Sequence, residues 1–211
     1  MTVSAWLSLL AICVLGAMSP GPSLALVVRN TVNRGRGAGL ITALSHGLGV
    51  GVYAAATALG LAAVIATHQT LHSAVTLAGA GYLLWLGASA MRAGHPATRP
   101  DADPTPPDPV PGDRSAAARD GLAMALLNPK IAVFFVALFS QFVTPGAGAA
   151  TIVLLAGTAT VVDAGWYALV ATGLSASGGA AWLRRRQVWI ERLTGAVLVF
   201  LALSTAATVL G

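Results

Sequence analysis

Charge is scarce in this chain. Only 9% of its 211 residues are Asp, Glu, Lys or Arg, whereas soluble domains carry about a quarter. Cysteine is rarer still: Cys13 stands alone, which excludes a disulfide framework, a CxxC pair and a thiolate metal site. A thiol-based electron carrier needs paired cysteines, so that function is excluded too. His-rich and Cys-rich tracts are missing, which argues against a metal exporter; no metal site and no cofactor are expected. The first residues, Met1-Thr2-Val3-Ser4-Ala5-Trp6, hold no positive charge, which argues against a cleaved signal peptide. No nucleophile–base pair or ligand cluster stands out along the chain, so an enzyme is not expected.

Apolar residues fill the space instead, at 56% of the chain, with a mean hydropathy of +0.77. Six runs reach the roughly 20 residues a spanning helix needs. They cover 5–28, 39–66, 71–91, 121–143, 150–173 and 190–210. The arginines sort onto alternate connections: Arg29, Arg34 and Arg36, then Arg92, Arg99, Arg114 and Arg119, then Arg184, Arg185, Arg186 and Arg192. The other connections and both termini hold no Lys or Arg. Positive-inside sorting therefore places the Arg-bearing connections in the cytoplasm and both termini outside. The basic balance belongs to that sorting and implies a lipid bilayer as partner, with no nucleic acid. Trp6 near one boundary, and Trp182 and Trp189 near the other, suit interfacial anchoring. Residues 92–119 contain seven prolines from Pro96 to Pro111 and most of the acidic residues. Such a composition buries no core and reads as a disordered cytoplasmic linker between halves 1–91 and 120–211.

Each half holds three spans, so the halves are oppositely oriented, and each half's first span is interrupted. The interruptions are Ser19-Pro20-Gly21-Pro22 and Asn128-Pro129-Lys130. Proline removes a backbone donor and clashes with the preceding turn. Ser and Asn are strong N-cap residues, and proline suits the first helical position. Both breaks are therefore expected to start a new half-helix inside the bilayer, its positive dipole end available to an anionic group. Ordinary proline kinks are the bland alternative. Matched breaks in two halves mark the binding site of transporters built as inverted repeats. Weak internal similarity agrees: Pro20 aligns with Pro129, and at a slightly larger offset His46 aligns with Thr160, Tyr53 with Tyr167 and Gly81 with Gly195. Both breaks fall toward the Arg-bearing side of the spans as drawn, so either span 4 begins earlier, near Ser115, or the repeat is imperfect. The fold expected is an all-α polytopic membrane protein of six transmembrane helices in a 3+3 inverted repeat.

Lys130, the chain's one lysine, lies well inside the fourth span. A lysine at membrane centre costs about 2.5–3.5 kcal/mol on insertion scales, so it must face the interior with a partner. Asp163, the one carboxylate deep within a span, is the candidate. The pair would either brace spans 4 and 5 or serve coupling. In span 2, His46, Gly49 and Tyr53 share a helical face; in span 5, Thr160, Asp163 and Tyr167 do. His46 could titrate near neutral pH, donate to substrate, or simply pack. The glycines around Gly47 and Gly49 suit close helix packing, and a GxxxG pattern permits a homo-oligomer contact as readily as an internal one.

Together these motifs resemble the LysE/RhtB family of bacterial amino-acid exporters. The resemblance covers nearly the whole chain. It rests on Ser19-Pro20-Gly21-Pro22, Arg29-Asn30, Gly35-Arg36-Gly37-Ala38-Gly39, His46-Gly47-Leu48-Gly49, Gly60-Leu61-Ala62, Gly81 to Gly87 and Asn128-Pro129-Lys130, in that order. It implies ion-gradient-driven export of amino acids or related small metabolites across the cytoplasmic membrane. The substrate is then expected near Ser19, Pro20, Gly21, Pro22, His46, Gly49, Tyr53, Asn128, Pro129, Lys130, Asp163 and Tyr167, with Asp163 and Lys130 in the coupling. A passive channel, or an exporter of another small solute such as a metal ion, is the alternative.

Overall fold

Proline breaks two of the helices. In the computed structural model, which describes residues 1–92, 113–144, 146–174 and 179–210, α1 (Val3–Met18) stops ahead of Pro20, and α2 (Pro22–Arg34) leaves at 58° to it. After the long helices α3 (Arg36–Thr67) and α4 (Gln69–Arg92), a second bend of 54° separates α5 (Arg114–Leu127) from α6 (Pro129–Phe139). α7 (Ala149–Leu174) and α8 (Gly179–Leu210) are again unbroken. Four helices are long and apolar enough to cross a membrane alone, and counting each bent pair as one span raises this to six among the described residues. The protein is an all-α polytopic membrane protein, as expected.

The fourth span begins earlier than hydropathy suggests. Its first turns carry Arg114, Arg119 and Asp120, which a hydropathy window rejects, yet they are helical from Arg114 onward. Asp113 caps them: its carboxylate accepts the N–H groups of Ser115 and Ala116 at 3.0 Å and the Ser115 hydroxyl at 2.6 Å. Those bonds, the Ser115 hydroxyl first, hold the Asp113 carboxyl below the usual carboxylate range. Residues 93–112 of the proline-rich connection and the Trp182 side chain lie outside the described residues. The Trp6 indole N–H donates to Thr158 Oγ1 at 3.1 Å, tying α1 to α7.

Small residues set the helix spacing. The most extensive helix pairs are α3 with α7, α4 with α8 and α3 with α5. A Cβ on Gly47 would fall 2.6 Å from Ala164 on α7, and one on Gly49 would fall 2.7 Å from Ala125 on α5. At Gly121 a Cβ would meet the Ser45 hydroxyl and also backbone: the Thr42 carbonyl at 2.5 Å and the His46 nitrogen at 3.1 Å. Only glycines admit this approach, which substitutes van der Waals packing for a hydrophobic drive that lipid does not supply. Gly121→Val should therefore force α5 off α3 and destabilise the protein by about 1–3 kcal/mol or more, as overpacking does. An unchanged thermal midpoint of the detergent-solubilised variant would contradict this packing. Outward-facing side chains are apolar, with Leu44, Leu48, Val52 and Leu59 of α3 all more than half exposed, as a lipid-facing stripe requires.

One end of the bundle is polar. Asp120 on α5 pairs with Arg34 at 3.1 Å and Arg29 at 3.7 Å, both on α2. Asn30, fully buried, donates to Thr42 Oγ1 on α3 at 2.9 Å and to Asp120 at 3.4 Å. Partly exposed ion pairs contribute about 0–1 kcal/mol each, so this network orients α2 against α5 more than it stabilises the fold.

Candidate functional site

The two breaks differ in construction. At the second, Asn128 is the N-cap of α6, as expected: its Oδ1 accepts the Lys130 backbone N–H at 3.0 Å, and Pro129 takes the first helical position. At the first, Ser19 is not an N-cap. It closes α1, donating its N–H to the Leu15 and Gly16 carbonyls, and α2 begins only at Pro22 after an extended Gly21 that offers no side-chain cap. Two prolines within three residues explain the wider gap, since neither Pro20 nor Pro22 can donate a helical hydrogen bond. Thr194 of α8 reaches the opened end of α1, donating to the Leu15 carbonyl at 3.3 Å.

Side chains from one break bind the other. Lys130 Nζ donates to Ser19 Oγ at 3.2 Å, and Asn128 Nδ2 donates to Ser23 Oγ at 3.4 Å. The Lys130 N–H on Oδ1 fixes which end of the Asn128 amide faces Ser23.

His46 is buried beside them. Its Nδ1 lies 2.6 Å from Asp163 Oδ2, and its Nε2 lies 3.0 Å from Ser23 Oγ. Tyr167 meets the imidazole edge-on, with ring centroids 5.1 Å apart. Asp163 therefore has His46 as its partner. Among the described residues no ion pair joins it to Lys130, whose ammonium instead binds Ser19 and feels the Glu191 carboxylate of α8. The expected Lys130–Asp163 pair is corrected accordingly: Lys130 projects from α6 toward the break of α1, while Asp163 on α7 lies against α3.

These groups surround a cavity of about 80 Å³. Its polar wall contains Ser19, Gly21, Pro22, Ser23, His46, Asn128, Lys130, Asp163 and Tyr167; the apolar wall includes Val50, Leu86, Phe134, Phe135 and Leu198. A wider cleft of about 500 Å³ between α2 and α5 runs past Arg29 and Asp120 down to Pro129. The cavity and the cleft share Pro22 and Asn128, so the two helix breaks form the partition between them.

Of the residues expected at the site, eight line the cavity and four do not. Pro129 lines the cleft instead. Pro20 shapes the break without facing the cavity, Gly49 packs on Ala125 and Leu122 of α5, and Tyr53 packs half-buried on the apolar core. Ser23 was missed, as was its hydrogen bond with His46. The order Ser23–His46–Asp163 is that of a nucleophilic triad, assembled from residues too distant in sequence to be seen as a motif. Trp166 packs on the second apolar cluster, formed around Val27 and Ala171, and takes no part in the cavity. Among the described residues no group of three or more His, Cys, Asp or Glu could hold a metal ion.

A cavity with one polar wall, set between two broken helices in a bundle of up to six spans, is the arrangement in which membrane transporters bind their substrates. The chain belongs to the LysE type translocator family, whose model matches residues 14–208. It is 28% identical over 193 residues to the threonine efflux protein of Escherichia coli K12, covering 91% of this chain and 92% of that protein. It is 33% identical over 172 residues to a membrane protein of Pseudomonas aeruginosa, covering 80% and 77%. With the homoserine/homoserine lactone efflux protein of Salmonella typhimurium it shares 26% over 186 residues, covering 87% and 86%. No solved structure matches the chain.

Proposed function

We propose that the protein exports small amino acids or close derivatives across the cytoplasmic membrane by proton-coupled alternating access. The observation that carries this is the charge layout of the cavity. One side offers the Lys130 ammonium and the α6 N-terminus, which suit a carboxylate; the other offers the Asp163 carboxylate, which suits an ammonium. A zwitterion satisfies both. Threonine and homoserine, named for the relatives, have the size for a compact cavity.

Two halves of opposite orientation would supply the motion. In support, the breaks bend by similar angles, α3 packs on its counterpart α7, and α4 packs on its counterpart α8. The Arg-rich end is cytoplasmic by charge sorting, and the cleft past Arg29 and Asp120 is then the cytoplasmic approach. Opening the partition at Pro22 and Asn128 would join cleft to cavity, with the Asp120 ion pairs restraining α2 against α5.

Inside-out vesicles with an acidic lumen test this. They should accumulate labelled threonine above the external concentration, and collapse of the pH gradient should release it. Uptake that stops at equal concentrations would mean a channel. The triad order of Ser23, His46 and Asp163 also favours a second reading, hydrolysis of an ester or lactone, in which the recovered compound would be the acid. Transport returns it unchanged.

A further inference from the structure

We propose that the coupling proton resides on the His46–Asp163 pair and that it competes with the substrate's ammonium group for a single negative charge. The inference rests on the transport reading above and locates its coupling.

The hydrogen-bond directions follow from the chemistry of each partner. A carboxylate only accepts, so the 2.6 Å contact to Asp163 requires a proton on His46 Nδ1. In neutral His46, Nε2 must then accept, and the Ser23 hydroxyl donates to it across 3.0 Å. Asn128 supplies the Ser23 oxygen with a donor in return. In this state the pair carries one net negative charge, on Asp163. Its Oδ2 is occupied by His46, which leaves the second oxygen for an ammonium in the cavity.

A proton arriving from water has one open position, Nε2. Protonation there forms one N–H bond, makes His46 an imidazolium, and brings the pair to zero net charge. Ser23 then accepts from Nε2 and its own hydroxyl proton is freed. A neutral pair holds an ammonium poorly, so proton uptake on one side of the membrane expels substrate, and substrate binding on the other expels one proton. A one-for-one exchange follows from the single charge.

The groups around His46 are compatible with this. From α7 come Asp163 and Tyr167, and from α1 comes Cys13. Lys130 of α6 shares the cavity but is held by Ser19 and by the field of Glu191 on α8. On α5, Gly121 touches the His46 backbone, while the adjacent Asp120 is committed to Arg29, Asn30 and Arg34. α4 contributes only apolar Leu86 to the cavity wall. This assignment gives His46 the part that position alone would have given Lys130.

The test adds threonine to the purified protein in weakly buffered detergent solution with a pH indicator, with binding measured in parallel by calorimetry. Wild type should release close to one proton per threonine bound. His46→Gln keeps an N–H for Asp163 and an acceptor for Ser23 but has no imidazole to take up a proton; any threonine it binds should release none. Proton release by His46→Gln equal to wild type overturns the assignment, as does threonine binding by wild type without any release. No threonine or homoserine binding to wild type overturns the transport reading itself. If His46→Gln fails to insert, protein in which His68, His72 and His95 are replaced by Gln leaves His46 as the one histidine for 15N NMR. At a fixed pH, threonine should move its imidazole 15N resonances toward the neutral form, because the ammonium favours the deprotonated pair. An imidazole indifferent to threonine overturns the proposal.

Discussion

Asp163→Asn should abolish both net export and threonine–threonine exchange while the protein still inserts and stays monodisperse. The carboxylate is 8% exposed and bonded to His46. An amide of the same shape keeps a hydrogen bond to the imidazole but removes the charge an ammonium would seek. Loss of one partner of a buried charge pair costs about 2–5 kcal/mol, so apparent affinity should fall by roughly 30-fold to several thousand-fold. Exchange must fall with net export because substrate binding itself is lost, a pattern distinct from that of His46→Gln, which is aimed at the proton. Exchange at the wild-type rate in Asp163→Asn proteoliposomes would remove Asp163 from the site.

Lys130→Met is the second large effect, and its selectivity is the informative part. Methionine preserves most of the stem and takes away the ammonium that holds Ser19 Oγ at 3.2 Å. KM for threonine should rise by roughly 30-fold or more, at about 2 kcal/mol for a lost charged contact in a low-dielectric site. Threoninol, which lacks the carboxylate, should lose little. The α6 N-terminus remains in the variant, because Asn128 still caps it, so residual carboxylate binding should persist. Equal losses for threonine and threoninol would assign Lys130 to stability instead.

Much of this architecture was legible from the chain. Apolar runs of the right length and proline breaks in two of them predict long and bent helices directly, because a spanning segment must satisfy its own backbone and proline cannot. Asn128 illustrates how far that goes: a strong N-cap followed by proline predicts a helix start, and α6 starts there. Ser19 shows the limit. The same pattern in sequence closes a helix instead, since Pro22 follows Pro20 and the second proline moves the start. The early beginning of α5 was hidden for another reason: its first turns are polar and helical together, and hydropathy measures only the first property.

By itself the sequence determined the membrane, the helices, the two breaks and the two intramembrane charges, Lys130 and Asp163, that must turn inward, because each follows from the cost of exposing a backbone group or a charge to lipid. Which inward residue meets which was decided by the tertiary structure alone. Ser23, His46 and Asp163 sit on α2, α3 and α7, and nothing in their spacing announces a contact. His46 and Asp163 meet because glycine at position 47 lets α7 press against α3. That approach gave Asp163 to His46 and left Lys130 to Ser19.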